Sequence, residues 1–296
     1  MSNDSYVLEA AVAEVGDEVE TINWQSLSSM LSADVFAALR NHLVVDENDR
    51  EIPKFMSLES SDNLSYSHVK PTTNNAVFKE HSYWEERFSE EEEYDWLLSY
   101  EQLHTHLIPL LKFTDKILIV GCGNSRLSAG LYDAGFTSII NIDFSSIVIE
   151  KMKLLHGDLR PLMKWIFMDM TDLKFEESSF DIVIDKASMD ALMVDEGDVW
   201  HPNSSTIDVT DRMCLGLSKV LKSNTGRFIQ LSFAQPHFRT KYLMGQHFHE
   251  ESESNLAVSP FESMAGFCER YQWTLSFSTI DTEAGCLNSF LYVMKL

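Results

Sequence analysis

Positive charge is scarce in this 296-residue chain: 23 lysines and arginines stand against 46 aspartates and glutamates, a formal net charge of −23. A surface of that sign repels a phosphate backbone. Nucleic acid is therefore not expected as the principal partner, whereas a basic protein partner is compatible. Cysteine is thin as well. Cys122, Cys214, Cys268 and Cys286 stand far apart without a C-x-x-C pair, so neither a disulfide framework nor a metal site is expected. No apolar run approaches the ~18 residues needed to cross a bilayer, and no membrane association is expected. The N-terminal stretch is acidic and has no arginine before Arg40, unlike a secretory or mitochondrial presequence. A reduced, cytoplasmic setting is the expectation. What remains is a chain with 44% hydrophobic residues, long enough to bury a sizeable core.

The most informative stretch is KILIVGCGNSRLS (116–128), followed by IINIDFSS (139–146). Apolar Ile117–Val120 reads as a buried parallel strand, Gly121-Cys122-Gly123 as a tight turn, and the segment carrying Leu127 and Leu131 as a helix. The next strand ends at Asp143, 20 residues after Gly123. That is a nucleotide-binding βαβ unit with an acid placed to take ribose hydroxyls. One element of the dinucleotide version is absent. Where G-x-G-x-x-G has its third glycine, this chain has Arg126, which would crowd a pyrophosphate. The pattern suits S-adenosylmethionine, whose ribose and sulfonium carry no phosphate. Gly121 would let the backbone approach the methionine part, and Asp143 would accept from the ribose hydroxyls.

Residues 1–60 carry 12 acids and 3 bases and read as a poorly ordered tail. Within it Leu31, Val35, Phe36, Leu39 and Leu43 share a helical face behind Ser32 as N-cap, either a helix packed on the main domain or a docking element. Residues 57–80 are rich in Ser, Asn and Thr around Pro71 and read as a linker. The expected organisation is an acidic N-terminal extension, 1–79, and a domain at 80–296. That domain opens on aromatics (Tyr83, Trp84, Phe88, Tyr94, Trp96, Tyr100) around an acidic run at 90–93, then a helix burying Leu103, Leu107, Leu110 and Leu111. Strands are expected at Ile117–Val120, Ile139–Asp143, 165–168, 181–185 and 227–233, with helices at 125–134, Ser146–His156 and 207–221. Segments 273–278 and Ser289–Lys295 read as a closing antiparallel pair. The last is apolar on both faces and so belongs inside the sheet, beside the fifth strand. The fold class expected is α/β: a seven-stranded Rossmann-like sheet with helices on both faces and its last strand antiparallel.

Met168-Asp169-Met170-Thr171 follows the third strand, and in this fold an acid there bonds the adenine amino group. Ligands lie beyond the carboxyl ends of such strands, so Asp185, Lys186 and Ser188 of IDKASMDAL (184–192) should face the cleft. The lysine is expected to support the loop more than to perform chemistry.

Together YWEERF (83–88), YDW (94–96), GCGNS (121–125), NIDFS (141–145), MDM (168–170), FDIVIDKASMDAL (180–192) and QPHFR (235–239) resemble the elongation factor 1-alpha lysine methyltransferases. The resemblance covers about residues 80–296. It implies a class I S-adenosylmethionine-dependent methyltransferase whose protein substrate is elongation factor 1-alpha. It also implies cofactor contacts from Trp84, Phe88, Trp96, Gly121, Asp143, Phe144, Asp169, Met170 and Lys186. The chain departs from the family pattern at Phe88, where tyrosine is common, and at Ala187, which replaces a glycine. KSNTG (222–226) replaces a Pro-Gly-Gly turn. No cofactor-binding acid is lost. Methyl transfer from a sulfonium to an amine is an in-line displacement that needs positioning and dehydration more than proton transfer. A lysine nucleophile, with a reference pKa of about 10.4, becomes neutral more easily when buried. No single base is expected; Asp190 and His237 are the candidates for one. The same core serves small-molecule acceptors, and a non-catalytic module that binds cofactor and partner is a third reading. Intact Asp143 and Asp169 favour an enzyme.

Overall fold

The computed structural model describes residues 75–248, 266–280 and 288–296, and the backbone of two short strands, β1 (Leu43–Val45) and β2 (Glu51–Pro53), which pair antiparallel. The rest of the N-terminal stretch, including Leu31, Val35, Phe36 and Leu39 of the expected helical face and the linker to residue 74, lies outside the described residues, while Leu43, expected on that same face, stands instead at the start of β1. Residues 75–79 form a 3-10 turn just before the expected domain start.

Two helices, α1 (His81–Glu90) and α2 (Tyr100–Leu107), lead into the sheet. There β3 (Ile117–Val120), α3 (Leu127–Asp133), β4 (Ile139–Asp143), α4 (Ser146–His156) and β5 (Lys164–Phe167) form two parallel steps. The chain then crosses back to β6 (Ile182–Lys186), followed by the short helix α5 (Ser188–Leu192). A small hairpin comes next, β7 (Gly197–Asp198) with β8 (His201–Pro202), then α6 (Ser204–Val220), β9 (Arg227–Ser232) and α7 (Pro236–Leu243). Strands β10 (Phe267–Cys268), β11 (Trp273–Ile280) and β12 (Ser289–Lys295) close the sheet, whose spatial order is β10-β11-β12-β9-β6-β3-β4-β5.

The fold class is α/β, with β12 inserted antiparallel between β11 and β9. Its apolar residues split between two faces: Leu291 and Val293 pack with one buried cluster, Tyr292 and Met294 with the other. The same alternation runs through β3, where Ile117 and Ile119 face one layer and Leu118 and Val120 the other. Burying each such side chain contributes about 1.5–3 kcal/mol, and the near-continuous apolar runs follow from helices covering both faces. The sheet has one strand more than expected. β10 is only two residues long, too short for an alternating pattern to register. α6 starts three residues earlier than its apolar spacing suggests, because Asn203 accepts from the Thr206 N–H and caps it.

Successive strands run outward from β3 in one direction to β4 and β5, then in the other to β6 and β9. The strand order therefore reverses between β3 and β6, where ligands of open α/β sheets bind. Among the described residues no helix is long and apolar enough to cross a membrane.

Candidate functional site

At that reversal the carboxyl ends of the strands open into a cavity of about 790 Å3, within the size range of small-molecule sites. One wall begins with the glycine turn. Gly121 and Gly123 have φ of +54° and +50°, the left-handed region open to glycine at no steric cost. A Cβ on Gly121 would lie 2.1 Å from the Ser188 hydroxyl oxygen. That hydroxyl donates back to the Gly121 carbonyl at 3.0 Å and ties the turn to the start of α5 across the strand reversal.

Asp143, at the end of β4, is buried, and both its oxygens are engaged. Oδ2 accepts from the Gly123 N–H and Oδ1 from the Ser145 N–H, each at 2.9 Å. The 20-residue spacing read from the sequence is thus a physical contact: the acid holds the glycine turn. Burial raises its carboxyl from 3.8 to about 6, with those backbone donors pulling the other way. Each oxygen keeps acceptor capacity beyond that one N–H, and the residue lines the cavity. At the rim Asp169 accepts from the Thr171 N–H at 2.8 Å, which fixes the turn carrying Met170. Phe144 lines the wall nearby, and its carbonyl is 2.9 Å from His81 Nε2.

The opposite wall is aromatic. Trp84 stacks on Phe88 with centroids 5.4 Å apart, and Trp96 meets Trp84 at 5.8 Å. Phe78, from the 3-10 turn, packs on Trp96 at 5.5 Å, and its carbonyl accepts from Trp84 Nε1 at 2.6 Å. Behind the wall the Arg87 guanidinium lies 4.8 Å from the Trp96 ring. It is held by Glu91 at 2.6 Å and by the Tyr83 hydroxyl at 2.9 Å. Trp96 lines the cavity, and its Nε1 is buried without an acceptor among the described residues.

Lys186 ends β6. Its Nζ donates to Asp95 Oδ1 at 3.0 Å and to the Trp96 carbonyl at 2.8 Å, so it joins the aromatic segment to the sheet. Burial pushes its ammonium pKa down, and Asp95 opposes that shift. Asp95 also accepts from Ser125 Oγ, just before α3. Arg126, expected to crowd a pyrophosphate, is instead exposed at the N-cap of α3 and outside the lining. A carboxylate of the chain itself stands near that helix start.

Asp190 lines the far side of the cavity. Its Oδ1 accepts from Arg239 and, at 2.6 Å, from Ser232 Oγ, while among the described residues Oδ2 has only the Phe233 N–H at 3.4 Å. Arg239 and Asp190 are 3% and 4% exposed, a buried ion pair. His237, the other base candidate, is exposed, packs on Phe238 at 3.7 Å, and is absent from the lining. The reason is α7: it turns Arg239 of QPHFR inward and leaves His237 outside.

All nine residues implied as cofactor contacts, and Asp190, line this cavity; His237 does not. Of the three residues expected to face the cleft, Lys186 and Ser188 line it, whereas Asp185 is fully buried behind the turn and absent from the lining. Sequence reading missed Phe78, Asp95 and Phe233. Phe78 sits in a stretch read as linker, and Asp95 lies inside YDW, which displayed its aromatics more than its acid. Glu91 also escaped notice. It looks like part of a solvated acidic run, yet it is 1% exposed and binds both Arg87 and Asn124 Nδ2.

The sequence profile of a family described as "Methyltransferase domain" matches residues 117–199. The chain is 34% identical over 177 residues to the EEF1A lysine methyltransferase 4 of Bos taurus, a match covering 59% of this chain and 69% of that protein. It is 39% identical over 161 residues to the eEF1A lysine and N-terminal methyltransferase of Mus musculus, covering 54% of this chain but only 22% of that protein. Among solved structures, a TehB-like SAM-dependent methyltransferase from Corynebacterium glutamicum aligns at 14% identity and a TM-score of 0.43, over 75% of this chain and 99% of that one.

Proposed function

This chain belongs to the eEF1A lysine methyltransferase family, and from that premise we propose that it methylates a lysine of translation elongation factor 1-alpha with S-adenosylmethionine as cofactor. The observation that carries the reading is the cavity's polarity. A buried carboxylate anchored on the glycine turn stands on one side, and an aromatic wall with an unpaired Trp96 donor on the other. These features fit the cofactor. Asp143 has acceptor capacity for ribose hydroxyls, and Asp169 and Met170 stand at the rim for the base. When bound, S-adenosylmethionine supplies a methyl group activated on a sulfonium.

The chain's own residues then do three things. Phe78, Trp84, Phe88 and Trp96 exclude water, which favours the neutral form of an entering lysine. Lys186 keeps that wall on the sheet through Asp95 and the Trp96 carbonyl. Asp190 Oδ2 accepts from the amine and orients it. An unpaired anion there would hold the lysine as an ammonium; Arg239 compensates the charge and lowers that penalty. No dedicated base is required, and the lysine proton leaves to water.

The transfer is assigned to residues 80–296 with the turn at Asn75–Lys79, since Phe78 and Lys79 also line the cavity. The compartment that follows from the substrate is the cytoplasm, with neither nucleic acid nor a metal as a partner in the reaction. Incubating the purified chain with labelled S-adenosylmethionine and purified elongation factor 1-alpha tests the reading, with mass spectrometry locating the methyl group. Label on a lysine of the factor is expected. An unlabelled factor beside a labelled second protein or small amine would remove the substrate and leave a methyltransferase of other specificity.

A further inference from the structure

On this reading a lysine enters the cavity while still part of a protein, so a surface outside must hold the residues around it. We propose that an aromatic ledge centred on Trp200 docks a basic segment of the protein substrate beside the cavity mouth, a function that rests on the methyl transfer proposed above. The cavity wall continues outward through Phe233, which lines the cavity and is 53% exposed. The β7–β8 hairpin leaves the same cavity, since Val194 just before it lines the wall and Lys79, also in the lining, pairs with Asp195; at its tip Trp200 is 62% exposed. Phe238 meets the Trp200 ring edge-on at 5.6 Å, and His237 lies 6.5 Å from it.

QPHFR thereby works on both sides of α7. Arg239 reaches inward to Asp190 at the cavity wall, and His237 and Phe238 build the ledge outside. An exposed indole flanked by two further rings is a large apolar surface, and such patches mark interaction sites. Trp is also the residue most enriched where interface energy concentrates.

The chemistry of the occupant is written on the ledge. Lys241 Nζ lies 5.0 Å from the Trp200 ring centroid, so the indole already attracts an ammonium, one the chain itself supplies. The hairpin segment 194–200, VDEGDVW, carries Asp195, Glu196 and Asp198 and no lysine or arginine. It is held in place from three directions. Lys79 pairs with Asp195, Asn203 Nδ2 donates to the Asp195 carbonyl at 2.8 Å, and the Tyr242 hydroxyl donates to Glu196 at 2.8 Å. A preordered acidic hairpin with an exposed indole, on a chain of net charge −23, fits a lysine- or arginine-rich segment by charge and by cation–π attraction.

The test measures methylation of purified elongation factor 1-alpha at saturating S-adenosylmethionine and varied factor concentration, for wild type, W200A and W200F. Cofactor affinity is measured by calorimetry and folding by thermal melts. W200A is expected to raise the KM for the factor about tenfold or more, with cofactor affinity and melting temperature unchanged because the side chain is mostly in solvent. W200F keeps an aromatic face and is expected to recover most of the loss. A W200A enzyme whose KM matches wild type overturns the ledge and leaves the reaction standing. A wild-type enzyme that binds the cofactor but never labels the factor overturns the reaction, and the ledge with it.

Discussion

Asp143 and Asp190 are both carboxylates buried in the cavity wall, yet their partners differ. Asp143 is held by backbone N–H groups of Gly123 and Ser145, 20 and 2 residues away, while Asp190 is held by the side chain of Arg239, 49 residues away. Backbone donors come with the strand–turn–helix geometry itself. A side-chain cation has to be delivered by another element, here α7, and held there at the cost of dehydrating two charges. The Asp143 side of the cavity is therefore a local construction, and the Asp190 side a tertiary one.

The largest expected effect strikes the tertiary half. Arg239→Met leaves Asp190 buried without its cation, and breaking a buried pair from one side costs about 3–5 kcal/mol. Urea denaturation should show a loss of that size. Replacing both partners together, Asp190→Asn with Arg239→Met, should recover part of it. A loss near zero in the single variant would mean that the pair does not hold the Asp190 side together.

Asp143→Ala strikes the local half and should act first on binding. Removing an ionised acceptor of two hydroxyl donors should weaken S-adenosylmethionine by about 2–3 kcal/mol. Calorimetry returning wild-type affinity would contradict the assignment of Asp143 to the ribose and blur the contrast between the halves.

The same contrast explains what the sequence displays. The glycine turn, its acid and the strands around them were readable because their contacts are encoded at fixed short spacings, and the doubly apolar β12 announced its place by pattern alone. Asp95, whose carboxylate receives Lys186 from 91 residues away, has no such signature. Nor did anything in QPHFR tell which of its residues turns inward. His237 and Arg239 are two positions apart, and only the orientation of α7 places the arginine against Asp190 and leaves the histidine in solvent. The aromatic segment was readable as composition, but Glu91 needed the fold to reveal its burial, and Phe78 its place in the aromatic wall.

A smaller effect comes from pH. Asp143 and Asp185 are both raised by burial from 3.8 to about 6. A raised carboxyl contributes stability that is fully present below the unfolded value and is lost as pH rises through the folded one. On these two groups the cofactor-free protein should melt higher near pH 5 than near pH 7.5. Cofactor affinity should move oppositely, since ribose hydroxyls need an ionised Asp143. With about a tenth of Asp143 ionised at pH 5, the apparent dissociation constant should rise about tenfold. Calorimetry at the two pH values checks this. Flat affinity would mean that Asp143 is already ionised at pH 5, or that the cofactor does not use it.

The smallest expected effect sits where the two halves join. Ala187 follows Lys186 and caps α5 with φ of +68°, a left-handed conformation that costs an L-residue roughly 1–2 kcal/mol. Its N–H donates to the Leu231 carbonyl at 3.0 Å, and Asp185 accepts from the Ser188 and Met189 N–H groups just beyond it, so the turn is fixed from both sides and the strain persists. The family resemblance implies glycine at this position, and the backbone supplies a reason for it. Ala187→Gly removes the steric penalty but adds back unfolded-chain entropy of roughly 0.4–1 kcal/mol, so the net gain should be about 0.5–1 kcal/mol. In a domain of this size that is a rise of about 1–4 °C in melting temperature. The turn's hydrogen bonds come from backbone and Asp185, so methyl transfer should stay close to wild type. A melting temperature that falls instead would show that the surrounding contacts hold the alanine without strain, and that the junction is as well fitted as the glycine turn opposite.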